Sequence, residues 1–491
     1  MIDLFTNPDL FRYIDKYTDL RSLCDTCSFL LTLKQYIIYK LNTEYSLMYY
    51  NDILFKNKVL NKIFNPNKQL HLDLSYLGTD DELPNMIDVS ALGNIHKLNL
   101  TMSGVKDVSA LGNVHTLKLV RCHNITDVSA LGNVHTLDLD CCSNLIDVSA
   151  LKNVHTLNLT ACNVIDVSSL KNVHSLNLSY CDEITDVSAL SNVHILDLRH
   201  CKNISDVSAL GNVHTLILDG CNQITDVSKL SNVHTLDLSC CDKITDVSAL
   251  SNVHTLDLSC CDKIIDVSAL GNVHTLNLSN CKQITDVSAL GNVHTLKLTN
   301  CKQITDVSML GNVHTLCLHG CYDITDIRAL RNVYDLDLSY CKKITDFSVL
   351  KDVHTLKLSF CDITDVRVFK NVHTLDLSNC KQIVDVSELG KVHTLNLNSC
   401  NITDVSALGN VHELNVSHCK NITDVSALGN VYDLNLSHCN IVDVSSLGNV
   451  HILDLVYCDK ITDVSALKNV PILRLPYNLH VNMLLFNKYY V

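Results

Sequence analysis

From Asp88 to Asn469 the chain repeats one arrangement of apolar and polar positions. Each copy reads V-x-x-L-x-L and then I-x-x-V-x-x-L; in one copy these positions are Val253, Leu256, Leu258, Ile264, Val267 and Leu270. Leu256 and Leu258 stand two apart and so share one face of a predicted strand, while Thr255, Asp257 and Ser259 point the other way. Between Ile264 and Asn272 there is room only for a turn or a short 3-10 segment, because a stable α-helix needs more length. Asp266 and Ser268 suit its start, where side-chain oxygens accept freed backbone N–H groups. One copy cannot bury six apolar side chains alone. Stacked copies can, each strand pairing with the next in a parallel sheet.

The spacing locates the turns. Eighteen cysteines fall in one column: Cys122, Cys142, Cys162, Cys181, Cys201, then every twentieth residue from Cys221 to Cys361, then Cys380, Cys400, Cys419, Cys439 and Cys458. The 19-residue steps follow Cys162, Cys361, Cys400 and Cys439, and each loses one residue between cysteine and aspartate. A strand would swap its faces under such a deletion, so this stretch is predicted to be a turn.

The full copy, V-H-T-L-x-L-S-x-C-x-x-I-T-D-V-S-A-L-G-N, resembles leucine-rich repeats, whose signature is L-x-x-L-x-L-x-x-N/C-x-x-L. The resemblance covers about residues 70–475 and is strongest to the cysteine-containing class, shortened here on its outer side. "ITDVSALGNV" is also similar to the short repeats of bacterial internalins. The expected fold is an α/β solenoid: an arc with a parallel β-sheet on the concave face, turns or 3-10 segments on the convex face, and a small N-terminal helical domain. Twenty strands at a spacing of about 4.8 Å give an inner sheet on the order of 100 Å long.

The constant columns read as scaffold. A buried cysteine fills space as a small hydrophobe and makes weak hydrogen bonds. Column neighbours lie within the Cα range of a disulfide, but a reducing compartment favours free thiols. Cys240 and Cys260, one position before the column, form the pair expected to oxidise first. Histidine follows the valine in seventeen copies, from His96 to His451. A metal ladder is one reading, yet no cysteine or carboxylate cluster with zinc spacing accompanies the row. No metal or cofactor is therefore expected, and like-charge repulsion along the row should lower the imidazole pKa values. The aspartates of I-T-D-V-S, such as Asp127, Asp186, Asp226 and Asp246, read as caps. With every Ser, His and Asp copied some twenty times, no unique catalytic set exists, and an enzyme is not expected.

Charge narrows the partners. Thirty-eight Lys and Arg face 52 Asp and Glu, a net charge of −14, which argues against nucleic acid or anionic membrane. No eighteen apolar residues run together, so no membrane span is predicted. "MIDLFTNPDLFRYIDKY" lacks an apolar h-region, so the expected location is the cytoplasm, that of the host if a virus encodes the chain.

An unknown protein target is the expected partner, chosen by the variable letters on the concave face. These are the residue inside L-x-L and the two before each cysteine. Candidate contacts there are Lys118, Arg121, Tyr180, Arg199, His200, Tyr340, Lys357, Phe360 and Tyr457, because exposed aromatics and arginine anchor interfaces. Two zones stand out, Tyr180 with Arg199 and His200, and Tyr340 with Phe360 and Lys357. Drift on a tolerant surface is the alternative.

Residues 1–64 differ in kind. Asn7 and Pro8 suit a helix start, Leu20, Leu23, Cys24 and Cys27 lie on one face of a second helix, and a third helical stretch carries Leu33, Ile37 and Leu41. Pro8, Leu10, Ile14, Tyr17, Asp19, Leu20, Leu23, Thr26, Cys27 and Phe29 match an F-box pattern, so this head resembles an F-box. It departs at Asn7, where leucine is usual, and no tryptophan closes the module. The resemblance implies docking onto a Skp-type adaptor of a cullin ubiquitin ligase through Pro8, Leu10, Ile14, Leu20, Leu23, Cys27 and Phe29. A cap over the first strand's open edge is the other reading, compatible with the first, and an internalin-like adhesin is a third. The expected organisation is a head at 1–64, a transition with one irregular repeat at 65–94, about twenty repeats at 95–475, and a C-terminal cap at 476–491. Leu484, Leu485, Phe486 and Tyr489 would cover the last coil.

Overall fold

The computed structural model describes residues 39–62, 70–76 and 88–480. Its packing falls into two compact units, Met1–Ile244 and Thr245–Val491. The adaptor-binding candidates Pro8, Leu10, Ile14, Leu20, Leu23, Cys27 and Phe29 lie outside the described residues, as do Leu484, Leu485, Phe486 and Tyr489.

In the first unit ten short strands run from β1 (Tyr39–Lys40) and β2 (Leu70–Asp73) to β10 (Thr235–Asp237), each parallel to the next. In the second, twelve run from β11 (Thr255–Asp257) to β22 (Ile472–Arg474). The register follows the repeat. Across the 19-residue step after Cys162, Leu157 still pairs with Leu176, and across that after Cys361, Leu356 pairs with Leu375. The missing residue comes out of the turn, as expected.

The same pleat repeats in every coil. Leu256 and Leu258 are 1% and 0% exposed, with Thr255 and Asp257 half-buried on the opposite face. Across the core, residues Ser268–Asn272 form a 3-10 segment that buries Leu270. It starts differently from the expectation in one respect. Asp266 Oδ1 accepts the Ser268 N–H at 2.9 Å, and the Ser268 hydroxyl donates to the same carboxylate instead of accepting a backbone N–H. This repeats at Asp127, Asp186 and Asp226.

The thiols knit successive coils. Cys281 Sγ donates to Leu258 O at 3.1 Å, the carbonyl one coil back, and Cys162 does the same to Leu139 O at 3.2 Å. None of the described cysteines is in a disulfide, and the eighteen of the column are buried. Among the described residues no buried side-chain N or O lacks a partner. None of the described helices is long and apolar enough to cross a membrane.

At the N-terminal end the third predicted helical stretch is corrected at its close. Tyr39–Lys40 is a strand pairing with Leu70–His71, and Leu41, 1% exposed, donates its N–H to His71 O. A two-residue strand has no periodicity to read; pairing with β2 overrides the helical spacing. Two helices follow, α1 (Thr43–Asn51) and α2 (Ile53–Lys62). Asn42 caps α1 through the Tyr45 N–H at 2.9 Å. Buried Ser46 ties the helix to the sheet, donating to Leu41 O and accepting the Asp73 N–H at 2.8 Å. The solenoid therefore begins inside the segment assigned to the head.

Candidate interaction face

The outward strand face is built from two columns with different duties. The residue inside L-x-L is mostly Asp or Asn because its Oδ1 accepts the N–H two residues on. Asn158 does so from Thr160 at 3.1 Å, Asp197 from Arg199 at 3.1 Å, Asp257 from Ser259 at 2.8 Å and Asn435 from Ser437 at 2.9 Å. This Asx turn holds the chain as it leaves the strand. The column read from sequence as a free choice of contact residue is thus largely structural. Its signal was present as Asp or Asn followed two residues later by Ser or Thr. The exceptions are the positions free of that duty: Lys118 and Ile217 in the first unit, and Lys297, Cys317, Lys357 and Arg474 in the second. Lys118, Lys297 and Lys357 are exposed.

The residue before each cysteine has a left-handed backbone. Eighteen non-glycine residues in the described chain have φ between 53° and 64°, among them Arg121, Tyr180, His200, Tyr340, Phe360 and Tyr457. Backbone bonds on both sides impose it: Asn280 donates to Thr299 O at 2.7 Å and Cys281 to Leu278 O at 3.2 Å. The turn throws the side chain outward, and aromatic rings there stack on those of the next coil.

In the first unit Tyr180, 52% exposed, lies against His200 with ring centroids 4.8 Å apart, and Arg199 Nη2 meets Asp197 Oδ2 at 2.8 Å. The three residues of the first zone are thus together. Lys118 and Arg121 share a different coil, separated from Tyr180 by those of Cys142 and Cys162. In the second unit Tyr340 stacks on Phe360 at 4.3 Å, with His319 beside Tyr340 at 5.1 Å and Lys357 on the strand leading to Phe360. Tyr457 belongs to a row that sequence did not single out, His418, His438 and Tyr457, with centroids 4.0 and 4.4 Å apart.

Within each unit the histidine row is a stack along the start of the strands. In the first unit it begins at His71, one coil earlier than the sequence suggested, and runs to His234 with most centroids 4.6–4.8 Å apart. In the second, Tyr334 and Tyr432 replace imidazoles without interrupting it. Nδ1 typically meets the hydroxyl of the next threonine, as His135 does with Thr136 at 3.2 Å. The pKa values of His115, His174 and His214 are lowered, first by desolvation and only then by neighbouring imidazoles. The expected direction stands, but its leading cause is partial desolvation of these exposed rings and not their mutual charge. Among the described residues no group of three or more His, Cys, Asp or Glu is arranged to hold a metal ion.

A family model described as leucine-rich repeat matches residues 169–191, 229–251 and 391–409. Together with the coil just described, this decides the kind of molecule. The fold is that of a leucine-rich repeat solenoid. A chain of the mouse RP105/MD-1 complex superposes on this leucine-rich repeat chain with a TM-score of 0.53 and 15% identity, over 80% of each chain. The functional domain of InlJ from Listeria monocytogenes, which includes a cysteine ladder, matches at 22% identity and TM-score 0.44, over 66% of this chain and 73% of that one. Internalin inlF from Listeria monocytogenes matches at 21% and 0.35, over 70% and 83%. No curated protein matches in sequence. These likenesses concern the fold.

Proposed function

We propose that this leucine-rich repeat protein is a non-enzymatic recognition module that holds a protein partner on its outward strand face. One observation carries the reading: side chains that break the repeat lie exposed or half-buried on that face, where Tyr180, Arg199 and His200 gather in one unit and Tyr340, Lys357 and Phe360 in the other. Exposed aromatic and arginine side chains are the types that anchor interfaces. The F-box-like residues from Pro8 to Phe29 support a finer reading, in which the chain presents its target to a cullin ubiquitin ligase through a Skp-type adaptor in the cytoplasm. Its contribution to ubiquitin transfer is effective concentration.

The test is proximity labelling with the full chain and with a chain lacking residues 1–38. The cut belongs there and not at residue 64, because Tyr39–Lys40 and Ser46 are bonded into the sheet. Adaptor and cullin should appear with the full chain and vanish with the truncation and with Leu20→Asp plus Leu23→Asp, while target proteins persist. An intact chain that recruits no adaptor overturns the ligase reading. A chain whose neighbours are unchanged by Tyr340→Asp, Lys357→Asp and Arg199→Asp overturns the recognition face.

A further inference from the structure

Four departures from the repeat, Ile195, Arg199, Ile217 and Asp219, fall on two adjacent coils in the first unit. Where neighbouring coils read T-L-D/N-L-S before the cysteine, residues 195–200 read I-L-D-L-R-H and residues 215–220 read T-L-I-L-D-G. The register sets Ile195 beside Thr215 and Asp197 beside Ile217. Ile217 is the one aliphatic residue inside L-x-L among the described strands. Gly220, at φ +69°, removes the side chain that most coils carry at that point, and the His200 imidazole lies over its Cα so closely that a Cβ there would strike Nδ1. A step results where the stacked rings of Tyr180 and His200 end over buried Gly220, with half-buried Ile217 on the same coil as Gly220.

The charge at this step is unbalanced. Arg199 is bound to Asp197, which is 8% exposed and spent on that pair and on its own turn. Asp219 and Asp237 act on the same guanidinium from the next coils. Three carboxylates thus face one guanidinium, and the ion pair of Asp219 is to His200 Nε2, at 3.6 Å. Apolar Ile217, Ile195 (38% exposed) and Tyr180 flank this excess of negative charge.

We infer that the step where this ring stack ends receives a basic segment of a partner protein, a Lys or Arg side chain meeting Asp219 with an adjoining apolar side chain seated on Ile217 and Tyr180. This rests on the strand face being the recognition surface.

The probe is a fluorescein-labelled twelve-residue peptide of alternating Lys and Leu, titrated against the full chain by anisotropy, beside Asp/Leu and Lys/Ser peptides. The Lys/Leu peptide should bind most tightly. Asp219→Asn should weaken it about threefold to fivefold, the range of one exposed ion pair. Asp219→Lys should weaken it further. Ile217→Asn, which installs a residue common in that column, should weaken it while leaving melting unchanged or raised. Asp376→Asn, on the strand face of the other unit, keeps its turn and should change nothing. Equal affinity for wild type and Asp219→Asn, equal loss with Asp376→Asn, preference for the Asp/Leu peptide, or no binding of any peptide would each overturn the inference. If that happens while Lys357→Asp still strips neighbours in proximity labelling, the recognition face survives and only this site falls.

Discussion

One residue separates the row of buried cysteines from the row of left-handed residues before it, yet the two answer to opposite demands. Every cysteine in the column is buried, and within each unit the thiols hydrogen-bond carbonyls one coil back, as Cys281 does to Leu258. Only a small side chain with a donor fits, so the letter hardly changes. The preceding residue instead has its backbone fixed from both sides by N–H bonds, whatever side chain it carries. No L side chain is favoured at positive φ, so the fold tolerates Arg, Tyr, Phe, His, Asn, Ser and Ala alike there. Uniformity marks where a side chain makes the coil, and variety marks where the backbone makes it alone.

Thiol chemistry separates the rows most sharply. Burial pushes the column thiols up, to about 11 at Cys301 and Cys419 and about 12 at Cys181 and Cys341. Brief alkylation with iodoacetamide at pH 8, mapped by mass spectrometry, should mark Cys141, Cys240, Cys260 and Cys317, the half-buried thiols, at least on the order of a hundredfold faster than the column. Equal labelling of Cys260 and Cys261 would erase the distinction.

Stability is the next lever. Cys281→Ala should cost about 1–3 kcal/mol, because Leu258 O loses its donor in the core. Ala161→Gly, at φ 53°, should gain about 0.5–1 kcal/mol, the left-handed cost less glycine's extra freedom when unfolded. Urea unfolding of the two variants measures both, and opposite signs are the expected result.

Acid gives the smallest effect and resolves two steps. Folded His115, His174 and His214 have pKa values below the unfolded 6.5 or so, so the unfolded chain binds more protons and stability falls as pH drops below that value. The cap aspartates, lowered by hydrogen bonds from the serine two residues on, stabilise the fold above about pH 4 and lose this as pH falls through their folded values. Asp326 and Asp365, paired with arginines, reach about 2. Melting followed from pH 8 to 2 should show both declines, and replacing the three histidines by glutamine should flatten only the first.

Much of this was legible in the sequence because each coil says the same thing. Leu256 and Leu258 reported a strand face, the gap after Cys162 a turn, and Asp266 a cap. What escaped depends on backbone geometry or on context beyond one copy. The left-handed turn was hinted at only by Gly220, Gly320, Asn280, Asn300 and Asn379 in one column. The Asx role of the L-x-L residue was masked by reading variability as freedom. Strand β1 is too short to carry any pattern, and the order of causes at the histidines needed the stack itself. Of the candidate contacts, the pairings Tyr180–His200 and Tyr340–Phe360 followed from the period, whereas the end of the ring stack over Gly220 came from a residue's missing side chain.

The one-residue gap in the turn has a consequence for how such a molecule changes over generations. Because each coil bonds only to its immediate neighbours and absorbs a deletion outside its strand, unequal exchange between copies adds or removes whole rungs without disturbing those that remain. Length is thus free to vary by recombination, while point substitution is left to edit the exposed letters.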